Sequence, residues 1–172
     1  MSGMKRTLAA IGVAILCVFH FGSADAGQGS DKPASPVEST LTYYIHDAAM
    51  HGGQLRLQAE QIEWYTGEEA DKQLRIHEPD AGLTETPDGY YIIPLHRGVE
   101  TLNAAPGISV LMQIYNRSGN VLDADIVWNE AITAERFAEL LADEDAWNLK
   151  DYPYHLTFRE GKVVRIVQQY IP

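Results

Sequence analysis

The chain of 172 residues carries 24 acidic and 13 basic side chains, a formal charge of −11, with 45% hydrophobic residues. That composition is enough for a core of its own. The charge repels phosphate backbones and anionic lipid, so nucleic acid and anionic membrane are poor partners. The one cysteine leaves no internal disulfide to staple the fold.

Met1 to Arg6 holds Lys5 and Arg6, an apolar run follows from Leu8 to Phe21, and Ala24-x-Ala26 closes the segment. These are the n-region, h-region and cleavage pattern of a secretory signal peptide, cut after Ala26. The uninterrupted stretch Leu8 to Phe19 is well short of the roughly 20 residues that cross a bilayer, so no membrane span is expected after cleavage. Cys17 follows Leu16, where a lipidated cysteine would want a small residue, and is read as part of the discarded h-region. Removal of residues 1–26, which include Lys5, Arg6 and Asp25, leaves 146 residues, Gly27 to Pro172, with 11 basic and 23 acidic side chains and a formal charge of −12. The expected location is secreted or periplasmic.

Residues 27–39 read GQGSDKPASPVES, a flexible leader rich in Gly, Ser and Pro. A single globular domain is expected over 40–172, a length that needs no covalent staple. Leu41, Tyr43 and Ile45 alternate with Thr42, Tyr44 and His46 as in a half-buried strand. Gly52-Gly53 supplies a turn, and Leu55, Leu57 and Ala59 form the apolar face of the returning arm. Thr66 stands three before Glu69, the spacing of a capping box, and opens a short helix with Ala70, Leu74 and His77 on one face before Pro79.

Asp80 to Gly89 is expected as loop, and Tyr90 to Ile93 as a buried strand stopped by Pro94. Val99, Thr101 and Leu102 suggest a short edge strand within Arg97–Gly107. Strands over Ile108–Tyr115 and Val121–Trp128 are expected to form a hairpin through Asn116-Arg117-Ser118-Gly119-Asn120, whose sequon is read as turn chemistry. Thr133 caps a second helix, Ile132 and Phe137 have hydrophobic-staple spacing, and Phe137, Leu140 and Leu141 make its core stripe. Acidic residues at its C-terminal end oppose the helix dipole, so fraying is expected near Asp145. In the closing hairpin a three-residue loop of Arg159, Glu160 and left-handed Gly161 would pair Leu156 with Val164 and Tyr154 with Ile166. Gly161→Val is expected to destabilise it.

The order strand, strand, helix, three or four strands, helix, strand, strand argues an α+β, β-rich fold. The expected form is a small antiparallel, strongly curved sheet or OB-like barrel with two short helices. The combination Glu63-Trp64-x-x-Gly67, Gly89-Tyr90-Tyr91-Ile92 and the terminal Gly161-Lys162-Val163-x-x-Ile166-x-x-Gln169-Tyr170-x-Pro172 resembles a group of uncharacterised secreted bacterial proteins, over most of the mature chain. In that pattern an acidic residue is usual where Gln168 stands. The resemblance implies export and a single domain, and no assigned function.

Three sets of residues bear on chemistry. His46, Asp47 and His51, near the first hairpin tip, are types that ligate zinc, copper or nickel; exposed turn residues account for them too, and that is the favoured reading. Asp123 and Asp125 alternate on one strand face, at a separation open to paired-carboxylate work, and a solvated face accounts for them too. Nine tyrosines and three tryptophans can pack in strands or stack on sugars and peptides, and Tyr44, Trp128 and Tyr152 are expected to be the least buried. No nucleophile motif is present and no cofactor is expected. The favoured reading is a noncatalytic binding or interaction module for an extracytoplasmic protein, a cell-wall component or a small ligand. The alternative is a small extracytoplasmic hydrolase, with or without the assistance of a metal, built on His46, Asp47 and His51.

Overall fold

A computed structural model describes residues 37–120, 124–143 and 148–171. The expected signal peptide, the expected leader up to residue 36, Asp123 and the fraying expected near Asp145 lie outside the described residues. Within them the protein is β-rich α+β, with six strands and two α-helices.

Strands β1 (Glu38–His51) and β2 (Gln54–Thr66) form the first hairpin. Gly52 and Gly53 both take positive φ, 57° and 80°, which the two-residue turn between paired His51 and Gln54 requires. Tyr43, Ile45, Leu55, Leu57 and Ala59 are buried as their alternation demands. His46 is the extra residue of a bulge, since Ile45 pairs with Ala59 and Asp47 with Gln58.

Helix α1 (Gly67–His77) follows directly, with Ala70 and Leu74 buried and His77 stacked on Tyr91. The capping box does not form. Thr66 makes no side-chain cap bond, and Glu69 instead accepts from Lys72 and Gln73. Gly67 enters the helix at φ 57° and donates its amide to the Gly89 carbonyl at 3.1 Å, so a neighbouring loop does part of what the cap would have done.

Strand β3 (Tyr90–Met112) is one element of 23 residues where three shorter pieces were expected. Pro94 does not stop it: it pairs with Ile62, and the four residues 95–98 after it bulge against Gln61 of β2. His96, Gly98 and Gly107, at φ 51°, 82° and 71°, let the strand bend without ending. Its first half pairs with β2; its second half runs parallel to β6 (Lys162–Gln168). The sheet is therefore mixed, which corrects the all-antiparallel expectation. Turn residues report only local hairpins, whereas the β3–β6 pairing closes over the long excursion through helix α2 (Ala134–Ala142).

The expected strand over Val121–Trp128 is also corrected: residues 124–128 are not in a strand, and the short β4 (Glu130–Ile132) pairs with the end of β3 instead. Residues 116–120 do form a turn. The Gly119 amide donates to Asn116 Oδ1 at 2.8 Å, so they read correctly as turn chemistry.

Strands β1, β2, β3, β6 and β5 (Pro153–Arg159) bond in that order and return to β1, giving a ring of hydrogen bonds that is not a true barrel. The core lies inside, joined by Phe137, Leu140 and Leu141 of α2. Phe137 and Tyr154 are fully buried and meet edge to face at 5.6 Å. The helix begins as its sequence indicates, with Thr133 accepting from the Arg136 amide at 3.1 Å.

The closing hairpin takes a different register from the expected one. Arg159 pairs with Lys162 across a two-residue turn at Glu160 and Gly161, both at positive φ. Leu156 then pairs with Ile166 and Tyr154 with Gln168. Uniform alternation would have mixed the faces. The strand resolves this by bulging at Val164, so that Val163 and Ile166, three apart, are both fully buried.

Candidate functional site

Two tryptophans with aromatic partners stand on the described surface, and they differ in what they leave to solvent. Trp64, on β2, is half-buried. Tyr90 stacks on it at 4.7 Å with planes 15° apart, and the His155 ring meets it at 6.3 Å and 79°. His155 is fixed in turn. Gln169 Nε2 donates to the Tyr170 carbonyl at 2.7 Å, so its Oε1 accepts from His155 Nε2 at 3.1 Å, and His155 Nδ1 accepts from the Thr42 hydroxyl at 3.0 Å. Trp64 is thus a packed element of the outer sheet face.

Trp128 is 65% exposed. An exposed large aromatic forgoes about 1.5–3 kcal/mol that burial would supply, so what holds it outside is informative. The holding group is Gln113, buried at the end of β3. Its carbonyl accepts from the Val127 amide at 2.9 Å, its Oε1 from the Asn129 amide at 2.7 Å, and its Nε2 donates to Asn129 Oδ1 at 3.2 Å. These bonds grip the residues on both sides of Trp128. Asn129 takes φ 56°, a left-handed conformation that Asn tolerates better than most residues, and so completes the turn.

The clamp is itself anchored from beneath. Buried Gln168 of β6 offers one side-chain oxygen to two backbone amides, Gln113 at 2.8 Å and Ile114 at 2.9 Å. On the flank, Glu130 accepts from the Tyr115 hydroxyl at 2.8 Å and from Arg117 Nε at 2.7 Å, while the Arg117 guanidinium lies 4.4 Å from the Tyr115 ring centre. Burial works against the Glu130 charge, yet the Arg117 and Tyr115 bonds outweigh it and hold its carboxyl below the ordinary glutamate range. Burial, then the Glu130 bond, push the Tyr115 hydroxyl up. Tyr170 meets the Trp128 ring edge to face at 6.1 Å and 82°. It is placed independently, because the neighbouring Gln169 amide donates to the Pro153 carbonyl at 2.8 Å. The result is an exposed indole and a phenol set at right angles on two separately fixed segments.

The other expected residues fall elsewhere. His46 lies in the β1 bulge with Nε2 3.5 Å from Glu60 Oε2, and His51 ends the same strand beside the Gly52-Gly53 turn. Five residues of extended chain separate the two by about 16 Å, so the strand does not bring them to one point. Among the described residues no three His, Cys, Asp or Glu side chains are grouped to hold a metal ion. The Asp125 carboxylate accepts from the Ile126 amide at 2.8 Å. Tyr44 and Tyr152 are half-buried, leaving Trp128 the most exposed of the three aromatics expected at the surface.

Gln113, Asn129, Gln168 and Tyr170 were not distinguished as site residues by sequence. Gln168 carried a legible signal: it has the parity of Ile166, a core-facing position where an amide needs buried partners. Comparison with protein-family models, with curated proteins and with solved structures returned no match. No helix among the described residues is long and apolar enough to cross a membrane.

Proposed function

We propose that this is a noncatalytic, exported binding module that takes a neutral cell-wall glycan against Trp128 and Tyr170. The observation that carries the reading is the exposed Trp128 ring at a turn gripped on both sides by a buried glutamine. A pyranose offers C–H groups to an aromatic face and hydroxyls to a phenol, and a tryptophan beside a tyrosine supplies both. Because the two residues stand on fixed segments, little main-chain entropy is left to lose on binding.

Charge selects among glycans. A mature chain of formal charge −12 disfavours polyanions, which leaves neutral polymers as the better partners. The signal-peptide pattern of the sequence supports a location where such polymers are found.

The test is co-sedimentation of purified protein with three neutral polymers, cellulose, chitin and an insoluble β-1,3-glucan. Retention on at least one of them, lost in Trp128→Ala and kept in His46→Ala/His51→Ala, is the expected result. Equal retention of wild type and Trp128→Ala, or no retention on any of the three, sinks the proposal.

A further inference from the structure

We propose a second binding site, independent of Trp128, that takes a small organic anion: a carboxylate carried on a short apolar body. It lies where the hydrogen-bonded ring lets go of β6. On one side β5 pairs Phe158 with Val163 and Thr157 with Arg165; on the other β3 pairs Ala104 with Val163 and Ser109 with Arg165. Val164 therefore has no register partner on either neighbour. Opposite it, β3 places four residues, 105–108, between its paired positions, with Pro106 unable to donate and Gly107 at φ 71°.

The interruption leaves an open cleft of about 400 Å³, within the size range of small-ligand sites. Val164, Pro106 and Ile108 give its lining an apolar part, and Ser109 contributes a hydroxyl. Arg159 and Arg165 also line it, against one acidic residue, Glu38. In a chain with nearly twice as many acidic as basic residues, a cleft with this balance is a local attractor for anions.

The two guanidinium groups are not equivalent. Arg159 Nε donates to Glu38 Oε1 at 2.9 Å, and its terminal nitrogen pairs with the same oxygen. Arg165, by contrast, is exposed and forms no salt bridge among the described residues. An incoming carboxylate would meet Arg165 first and compete with Glu38 for Arg159, while its apolar body covers Val164. Bidentate pairing with a planar guanidinium suits a carboxylate well.

The experiment follows backbone amide signals of Val164, Arg165 and Gly107 by nuclear magnetic resonance during titration with isovalerate, and with isoamyl alcohol as its uncharged counterpart. Isovalerate should produce saturable shifts at those amides with a Kd of about 1 mM or tighter, and the alcohol should not saturate. Arg165→Ala should weaken isovalerate at least tenfold, Glu38→Gln should tighten it by releasing Arg159, and Trp128→Ala should leave it unchanged. Saturation by the alcohol, unchanged binding in Arg165→Ala or Glu38→Gln, loss of binding in Trp128→Ala, or no saturable shift would each overturn the proposal. None of these outcomes bears on glycan retention by Trp128.

Discussion

Trp64 and Trp128 stand on the same domain with similar aromatic company, yet one is packed and the other presented. Trp64 has Tyr90 parallel to it and His155 edge-on, and the imidazole is itself tied at both nitrogens. The polar bonds there serve the packing of the ring. Around Trp128 the bonds run to the backbone on either side of it, and the indole keeps 65% of its surface. A ring that a structure fixes by its main chain while leaving its side chain in water is a better candidate for outside contacts than one fixed through its faces.

Removing the foundation of the Trp128 turn should cost the most. Gln168→Leu strips two buried amides, Gln113 and Ile114, of their acceptor, and at 1–3 kcal/mol for each unsatisfied donor the expected loss is about 3 kcal/mol in urea unfolding. A loss below about 1 kcal/mol would mean that the turn rests on something else. Trp64→Ala comes next, about 2 kcal/mol for a half-buried ring with a stacked partner, and glycan retention should survive it. Asn129→Ala forces a less tolerant residue to φ 56° and removes the acceptor of the Gln113 Nε2 hydrogen bond, for about 1 kcal/mol, with weakened retention because the indole loses its aim. Trp128→Ala should move stability by less than about 0.5 kcal/mol, the reverse of Trp64→Ala in both readouts.

Acid sharpens the same contrast. The carboxyl of Glu130 is held below its ordinary range in the folded protein, so the unfolded chain takes up that proton first as the pH falls. Its contribution is complete above the unfolded pKa and is lost as the pH drops from there through the folded one. Unfolding free energy measured across that acid window should therefore fall more steeply in wild type than in Glu130→Gln; parallel curves would show that the Arg117–Glu130 pair contributes nothing there.

The sequence was most legible where structure is local. Gly52-Gly53 marked its turn, Thr133 its cap, and Phe137, Leu140 and Leu141 their buried stripe. It was least legible where distant segments decide the outcome. Nothing near Pro94 announces that β3 continues past it, because Ile62 of another strand supplies the pairing. The bulge at Val164 changed the closing register because alternation alone cannot show an inserted residue. Thr66 offered a capping box that does not form, and the Gly67–Gly89 bond satisfies a different amide of the first turn. At the site, the surface position of Trp128 could be expected from its polar surroundings, but the clamp could not. Gln113 reads as an ordinary polar residue after an apolar run until Val127 and Asn129 are brought against it.

In the proposed function Trp128, and not Trp64, meets the ligand. The most direct test follows the indole Nε1–H signals of the assigned tryptophans in a 1H–15N spectrum while a soluble oligosaccharide of the retained polymer is added. The Trp128 signal should shift progressively and saturate while the Trp64 signal stays in place. A stationary Trp128 signal, with Trp64 moving in its stead, would contradict the account.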